Sequence, residues 1–582
     1  MYDPELVKAS LGEVKADLIV EGGCLVNVST GELLEGFDVA VKGSRIAYVG
    51  PDASHTTGDG TEVVDARGLY VAPGFIDAHT HIDLYCTPVE LSRAALLHGT
   101  TALFAEPDEL ANVMGFEGLK LFRRMVKGLP LKVYILIPLV CPQDPLFDEN
   151  RPLTLEEVRR ALRWREVVGL GEAVSWPRLL SGDADYAEKI ALAQGMGKVV
   201  EGHTAGARGA KLQGYVASGI YSCHEPVAWS EALERLRLGV HVMVREGSLR
   251  RDLANVLPGL LDKPLARRSV SIASDGVDPE DLVKLGYMDY AARRAVELGV
   301  DPVEAIAMVT INPARRFGLE GEVGCVAPGR EADIALLRSL ERVDVEATIS
   351  RGRLVAKAGR LLFEPPRRRW PRSALRTVRV ARSLQPPDFK VKVDAPGPVR
   401  VRVMELESEA ITRERIVEAE VEGGFLKPPE GVVVAAVVDR LYATGRVSLG
   451  LLKGWAEVGG VATTLNFDEN NLVVVGANVD DMSLAANRVV AMNGGMAIAD
   501  GGKVRFEMPM PLAGVMSLSP LEEVASKLSL MNEYLKGRGC ALRKPLNALL
   551  FITFVTLPEL RLSVRGLVDV KRRRLVPLIV DG

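Results

Sequence analysis

Histidine is scarce in this chain of 582 residues: there are seven. Any metal site built on imidazole therefore has few candidates. Cysteine is scarce too. The six thiols, Cys24, Cys86, Cys141, Cys223, Cys325 and Cys540, show no paired spacing. That excludes a disulfide framework or a zinc knuckle and fits a reducing cytoplasm. No charge of one sign dominates, with 72 basic against 76 acidic residues and a formal net charge of −4. Such a balance gives no electrostatic reason to expect nucleic acid or an anionic membrane as partner. No apolar run is long enough to span a bilayer. The start, MYDPELVKASLGEVKADLIV, lacks the basic and apolar stretches of a secretory signal.

What is present is ordinary globular composition, 47% hydrophobic and 25% charged. The length predicts about two to four domains. Residues 17–72 read as short strands broken by Gly and charged turns, the first part of a small β domain over 1–72. From Gly74 short apolar runs alternate with stretches of helical period. The runs are GFIDAHTH (74–81), TTALFAE (100–106), KVYILIPL (132–139), VVGLGEA (167–173), KVVEGH (198–203), IYSCHE (220–225), HVMVREG (241–247) and SVSIASD (269–275). PVELSRAALLHG, LEEVRRALRWREV and WSEALERLRLG are helical candidates between them. Continuous apolar strands separated by helices predict a parallel sheet buried on both faces. Eight such units predict an α/β fold with a (β/α)8 TIM-like barrel over 73–322. Strand-like segments return at 323–364 and are expected to complete the first module as a composite β-sandwich. The Pro- and Arg-rich stretch 365–397 reads as a solvated linker. Residues 398–582 read as a C-terminal α+β domain.

Barrel enzymes place their chemistry at the carboxyl ends of the strands. His79 and His81 end the first run, and residues two apart in a strand share a face. Glu172 ends the fourth run, His203 the fifth, His224 the sixth and Asp275 the eighth. Alone, each reads as a hydrogen-bonded structural residue, and Glu172 as a carboxylate paired with an arginine. Taken together, four imidazoles and two carboxylates at one rim predict a divalent zinc, iron or manganese site rather than calcium or magnesium. His98 precedes a strand, His241 begins one and so lies at the wrong end of the barrel, and His55 sits in a loop. All three read as structural.

APGFIDAHTHID, and NPARRFGL followed by GCVAPGREADIALL, resemble the opening and closing segments of amidohydrolases. More narrowly, AEPDELANVMG, GEAVSW, EGHTAG, HEPVAWSEALERLRLG, VMVREGS, VVVGANVDDMSLAANR, MPMPLAGVMS and RGLVDV resemble adenine deaminases along nearly the whole chain. The resemblance implies two metal ions (Mn, Fe or Zn). His79, His81 and Asp275 would hold one and His203 and His224 the other, with Glu172 bridging. It implies hydrolytic deamination of adenine to hypoxanthine and ammonia in purine salvage, with Asp275 moving the proton. Glu225 either meets the purine ring or orients a ligand imidazole. Glu109 and Arg245 would contact substrate. A homodimer or larger homo-oligomer is the expected assembly.

The chain departs from that family's usual pattern at Asp83, Asp108, Gly276, Leu441, Phe467 and Asn470; the last two fall in the segment Phe467-Asp468-Glu469-Asn470-Asn471. Two readings therefore stand beside deamination. One is hydrolysis of another cyclic amide or purine-like substrate, as in dihydroorotase- or hydantoinase-like enzymes. The other is a non-catalytic paralogue.

Overall fold

The computed structural model describes residues 2–139, 141–394, 397–467 and 469–580; Asp468, in the divergent segment above, lies outside them. Eight parallel strands form a TIM-like α/β core: β1 Phe75–Thr80, β2 Thr100–Ala105, β3 Lys132–Ile137, β4 Val167–Ala173, β5 Val199–Gly202, β6 Ser222–Cys223, β7 His241–Arg245 and β8 Val270–Ala273. Strands β1–β5 share one hydrogen-bonded arc and β6–β8 another. Nearly every residue of these strands is buried, because helices cover the outer face and side chains fill the inner one.

The two arcs meet without a regular ladder. At one junction Gly202 N donates to Ser222 Oγ at 3.2 Å. A Cβ on Gly202 would come within 2.2 Å of the Ser222 carbonyl oxygen, so only glycine allows this approach. At the other, Ser274 N donates to Asp77 Oδ1 at 3.0 Å and Asp275 N to the His79 carbonyl at 3.0 Å.

Helices Pro88–Leu97 and Trp229–Arg237 lie where the periodicity predicts them. Helix Leu155–Leu162 opens on a capping box between Thr154 and Glu157. It stops short of the predicted LEEVRRALRWREV stretch, because Val167 N donates to the Trp164 carbonyl in a turn that feeds β4. Strand β6 is also shorter than IYSCHE suggested. It pairs only with His241 and Val242, and the Ser222 side chain replaces the ladder on its other edge.

Two distant chain segments build one nine-stranded sheet beside this core. Tyr70–Pro73 pairs antiparallel with Ile334–Leu337, Ile334 opposite Pro73. A bridge between Arg45 and Glu331 brings the far side of the sheet back on itself, around Leu18, Val20, Val39, Ile334 and Ile349. Lys132 of β3 is buried against Asp333 at 2.5 Å, tying this sheet to the core.

A second nine-stranded sheet, between Val399 and Pro509, packs under helix Val479–Ala491. Residues 365–394 are docked rather than solvated. Ala374, Leu384 and Phe389 are buried, the Ala374 carbonyl accepts from Ala513 N at 2.7 Å, and the Leu384 carbonyl accepts from Ser483 Oγ at 2.9 Å. Apolar residues spaced between the prolines find the second sheet, while Arg367 and Arg369 stay in solvent. Tyr85–Cys86, after β1, pairs parallel with Met516–Ser517. Among the described residues no helix is long and apolar enough to cross a membrane.

Candidate metal centre

The six side chains singled out in the sequence converge at one rim of the core. His79 belongs to β1 and His81 follows it; Glu172 is in β4; His203 and His224 directly follow β5 and β6; Asp275 lies just past β8. Glu172 Oε2 is 2.5 Å from His203 Nδ1 and 3.0 Å from His224 Nε2, while Oε1 is 3.7 Å from His81 Nε2. His203 Nδ1 and His224 Nε2 are 3.2 Å apart. Asp275 Oδ1 is 3.6 Å from both His79 Nε2 and His81 Nε2. The His79 and His224 rings stack with centroids 4.2 Å apart. Asp275 takes a left-handed backbone, φ 52°, an unfavourable conformation for a non-glycine residue of the kind that clusters at functional sites.

Glu225 and Arg245 form a buried ion pair beside this cluster. Arg245 also binds Asp252 Oδ2 at 2.9 Å and lies 3.3 Å from Asp275 Oδ2, and its Nη2 has no hydrogen-bond partner. Glu225 Oε1 is 3.8 Å from His203 Nε2 and 3.7 Å from His224 Nε2. Glu109 lines the same cavity, and its Oε2 accepts from Asn470 Nδ2. The three remaining histidines are apart from the cluster. His98 Nδ1 meets Asp289 at 3.0 Å, His241 Nε2 meets Ser271 Oγ at 2.8 Å at the opposite end of the strands, and exposed His55 packs on Tyr48.

Burial alone would push the Glu172 carboxyl upward, but the His203 and His224 imidazoles outweigh it and hold it well below the usual range. Burial likewise opposes ionisation of Asp275, and His81, His224 and Arg245 reverse it. Burial opposes the charge on Glu225, and Arg245 overcomes that. His224 is pushed up to about 10 by Glu172 despite burial. Burial, then the neighbouring His224, drives His79 well below its ordinary value.

The donor set fits a cation. Both nitrogens of His79 and Nδ1 of His224 are buried with no hydrogen-bond partner, which is costly, and a cation would meet the one bare lone pair of a neutral His79. Ligand atoms of His79, His81 and Asp275 lie within 4.8 Å of one another, as do those of His79, Glu172 and His224 and those of His203, His224 and Glu225. Imidazole and carboxylate together suit a divalent transition ion or zinc.

Sequence reasoning missed four supports. Asp108 Oδ2 meets His81 Nδ1 at 2.9 Å, where it can fix the ring's orientation. Glu106 accepts from Glu172 N at 2.7 Å. Asp77 accepts from His79 N at 3.3 Å, from Tyr287 Oη at 2.7 Å and from Ser274 Oγ at 2.5 Å. An apolar wall of Phe467, Phe551, Phe554 and Leu557 from the C-terminal region faces the cluster. The contiguous pattern of acids in AEPDEL was the one available signal; no local pattern marks phenylalanines that are brought in by tertiary packing.

Parallel strands with a histidine and carboxylate cluster at their carboxyl ends, a cluster that could hold a divalent metal, are the arrangement of the amidohydrolase class of hydrolases. Residues 70–355 match the family model described as "Amidohydrolase family", and residues 409–574 match "Adenine deaminase C-terminal domain". The chain is 39% identical over 580 residues to "Adenine deaminase" of Cenarchaeum symbiosum (strain A), covering 99% of this chain and 95% of that protein. It is 40% identical over 583 residues to "Adenine deaminase" of Moorella thermoacetica (strain ATCC 39073 / JCM 9320), covering 99% and 98%. This chain belongs to the adenine deaminase family.

Proposed function

We propose that the chain hydrolyses adenine at C6: water adds, ammonia leaves and hypoxanthine remains. One observation carries this reading. The wall facing the histidine and carboxylate cluster, Phe467, Phe551, Phe554 and Leu557, comes from the segment that matches the adenine deaminase C-terminal domain. An apolar wall of aromatic rings, set edge to face, across from polar groups suits a planar heterocycle.

In this proposal His79, His81 and Asp275 hold one ion, and His203 and His224 a second. Glu172 lies between them, one oxygen toward His81 and the other toward His203 and His224, which supports a bridging role. Manganese, iron or zinc would supply Lewis acidity that brings the pKa of water from about 16 toward about 7. Asp275 accepts the proton of the attacking water at a carboxylate oxygen and returns it to the departing amine. Arg245 holds Glu225 ionised, so Glu225 accepts a hydrogen bond from a purine N–H. The partnerless Nη2 of Arg245 and the Glu109 carboxyl complete the substrate contacts.

The same proposal takes the two arcs as a full (β/α)8 barrel over 73–322, flanked by the composite β domain, 1–72 with 323–364, and the C-terminal domain, 398–582. It places the protein in the cytoplasm, in purine salvage, as a homo-oligomer. The test is ammonia release from adenine after reconstitution with manganese, iron or zinc, alongside ring opening of hydantoin and dihydropyrimidine. Ammonia from adenine alone is expected. Ring opening without ammonia would move the chain to the cyclic-amide hydrolases, and neither activity with any metal would favour a non-catalytic paralogue.

A further inference from the structure

Strand β4 carries Glu172, β5 delivers His203, and the ladder between the two strands is irregular at that rim. Gly169 pairs with Val199 and Leu170 with Val200, but the next pair is Ala173 with Gly202. Gly171 and Glu172 thus face Glu201 alone, a bulge of the kind that re-aims a side chain beside an active site. Beyond the last pair a side chain continues the connection. The Tyr215 hydroxyl accepts from His203 N at 3.0 Å and donates to the Ala173 carbonyl at 3.0 Å.

Tyr215 reaches this rim from helix Gly209–Ala217 and is completely buried. Gly202 makes way for it, since a Cβ there would stand 3.1 Å from the phenol oxygen. Arg235, also buried, holds the residue after His203. It donates to the Thr204 carbonyl at 2.8 Å and to Thr204 Oγ1 at 2.9 Å. His203 is therefore anchored to helix Trp229–Arg237 on one side and tied across to β4 by the phenol on the other.

One oxygen atom thus stands between the backbone of His203 and the residue after Glu172. These are the two segments whose side chains approach to 2.5 Å, Glu172 Oε2 to His203 Nδ1. A binding constellation works when its groups are held to about 0.5 Å. Without the hydroxyl, a buried N–H and a buried C=O lose their partner, a costly state that the strand ends relieve by closing on each other. Closing would draw His203 toward β4 and spoil the spacing.

We propose that Tyr215 is a positioning residue for metal binding: its hydroxyl sets the separation of Glu172 and His203 before an ion arrives. The proposal rests on the metal centre of the reading above and not on its substrate.

The test is titration of the metal-free full chain with manganese(II), the free ion followed by electron paramagnetic resonance, and with zinc followed by equilibrium dialysis. Tyr215→Phe keeps the ring and deletes the one oxygen. One binding affinity is expected to fall about 10–100-fold, the loss typical when a group that orients a ligand is removed. Tyr186→Phe is the control. Tyr186 is equally buried, but its hydroxyl accepts from Ser175 N at 3.0 Å, so the same atom is lost without disturbing His203, and wild-type affinity is expected. Wild-type affinity in Tyr215→Phe, or an equal loss in Tyr186→Phe, overturns the proposal. A wild type that binds neither ion removes the metal centre and this proposal with it, whereas metal binding that depends on Tyr215 in a chain releasing no ammonia would remove the adenine reading alone. If Tyr215→Phe fails to fold, hydrogen exchange on the metal-free wild type decides. The His203 amide is expected to be protected, and exchange at the rate of an unstructured peptide overturns the proposal.

Discussion

Gly171 sits one residue before Glu172, and a Cβ there would lie 1.7 Å from Glu106 Oε1 and 2.0 Å from its Cδ. Glu106 has nowhere to retreat, being fully buried with its other oxygen accepting from Glu172 N at 2.7 Å. Gly171→Ala therefore forces the Glu106 carboxyl away and strips the Glu172 amide of its acceptor. Overpacking of this kind costs about 1–3 kcal/mol, and a buried amide left unsatisfied costs about 1–3 kcal/mol more. Taking ~3 kcal/mol, and ~2–4 °C per kcal/mol on the scale of a domain of about 150–250 residues, the Tm falls by roughly 6–12 °C. Glu172 shifts with its amide, so bound metal per chain is expected to fall as well. The decisive assay is a double-mutant cycle by calorimetry. In a Glu106→Ala background the added methyl meets space, and Gly171→Ala should then change Tm by less than about 2 °C on the same scale. If the two substitutions simply add, or if Gly171→Ala alone leaves Tm and metal content unchanged, the steric reasoning is wrong.

Asp275→Asn keeps the shape but loses proton transfer, and kcat for ammonia release should drop by about 10²–10⁴-fold; a drop under tenfold would assign the proton to another group. Phe554→Ala removes part of the apolar wall, and loss of base stacking worth about 1–3 kcal/mol should raise KM for adenine about 5- to 150-fold, whereas an unchanged KM would place the base elsewhere. His241 is held neutral, its pKa lowered to about 3 by burial and then by Arg316. An unfolded imidazole takes its proton near pH 6.5, so the unfolded state binds more protons below that pH. Stability from this group is whole above about pH 6.5 and falls by up to about 1.4 kcal/mol per pH unit down toward pH 3; urea titrations of His241→Gln across that window should show a shallower decline than wild type. Lys132→Met leaves Asp333 buried without its partner and should cost about 3–5 kcal/mol, read as a lowered Tm that Lys132→Met with Asp333→Asn partly restores.

The core strands were legible in the sequence because strands buried on both faces are written as unbroken apolar runs, and VVGLGEA coincides with β4. Convergence of His79, His81, Glu172, His203, His224 and Asp275 was legible because strand ends in a barrel face one rim. Lengths were less so. Strand β6 is curtailed by its neighbour Gly202, and helix Leu155–Leu162 by a turn, both set by tertiary contacts rather than propensity. The fit of Glu106 into the space over Gly171 joins residues 65 positions apart, and no local pattern encodes it. The docking of 365–394 was hidden because proline and arginine dominate its composition, while Ala374, Leu384 and Phe389 make the contacts.

The sheet shared by Tyr70–Pro73 and Ile334–Leu337 has a consequence for biosynthesis. The ribosome releases the first of these strands about 260 residues before the second. At ~5–20 residues per second the early strand waits roughly 13–50 s with one edge open. During that interval a nascent chain carries an adhesive border that only its own later portion can cover, so shielding by chaperones or slow dilution at synthesis governs how much of it reaches the finished form.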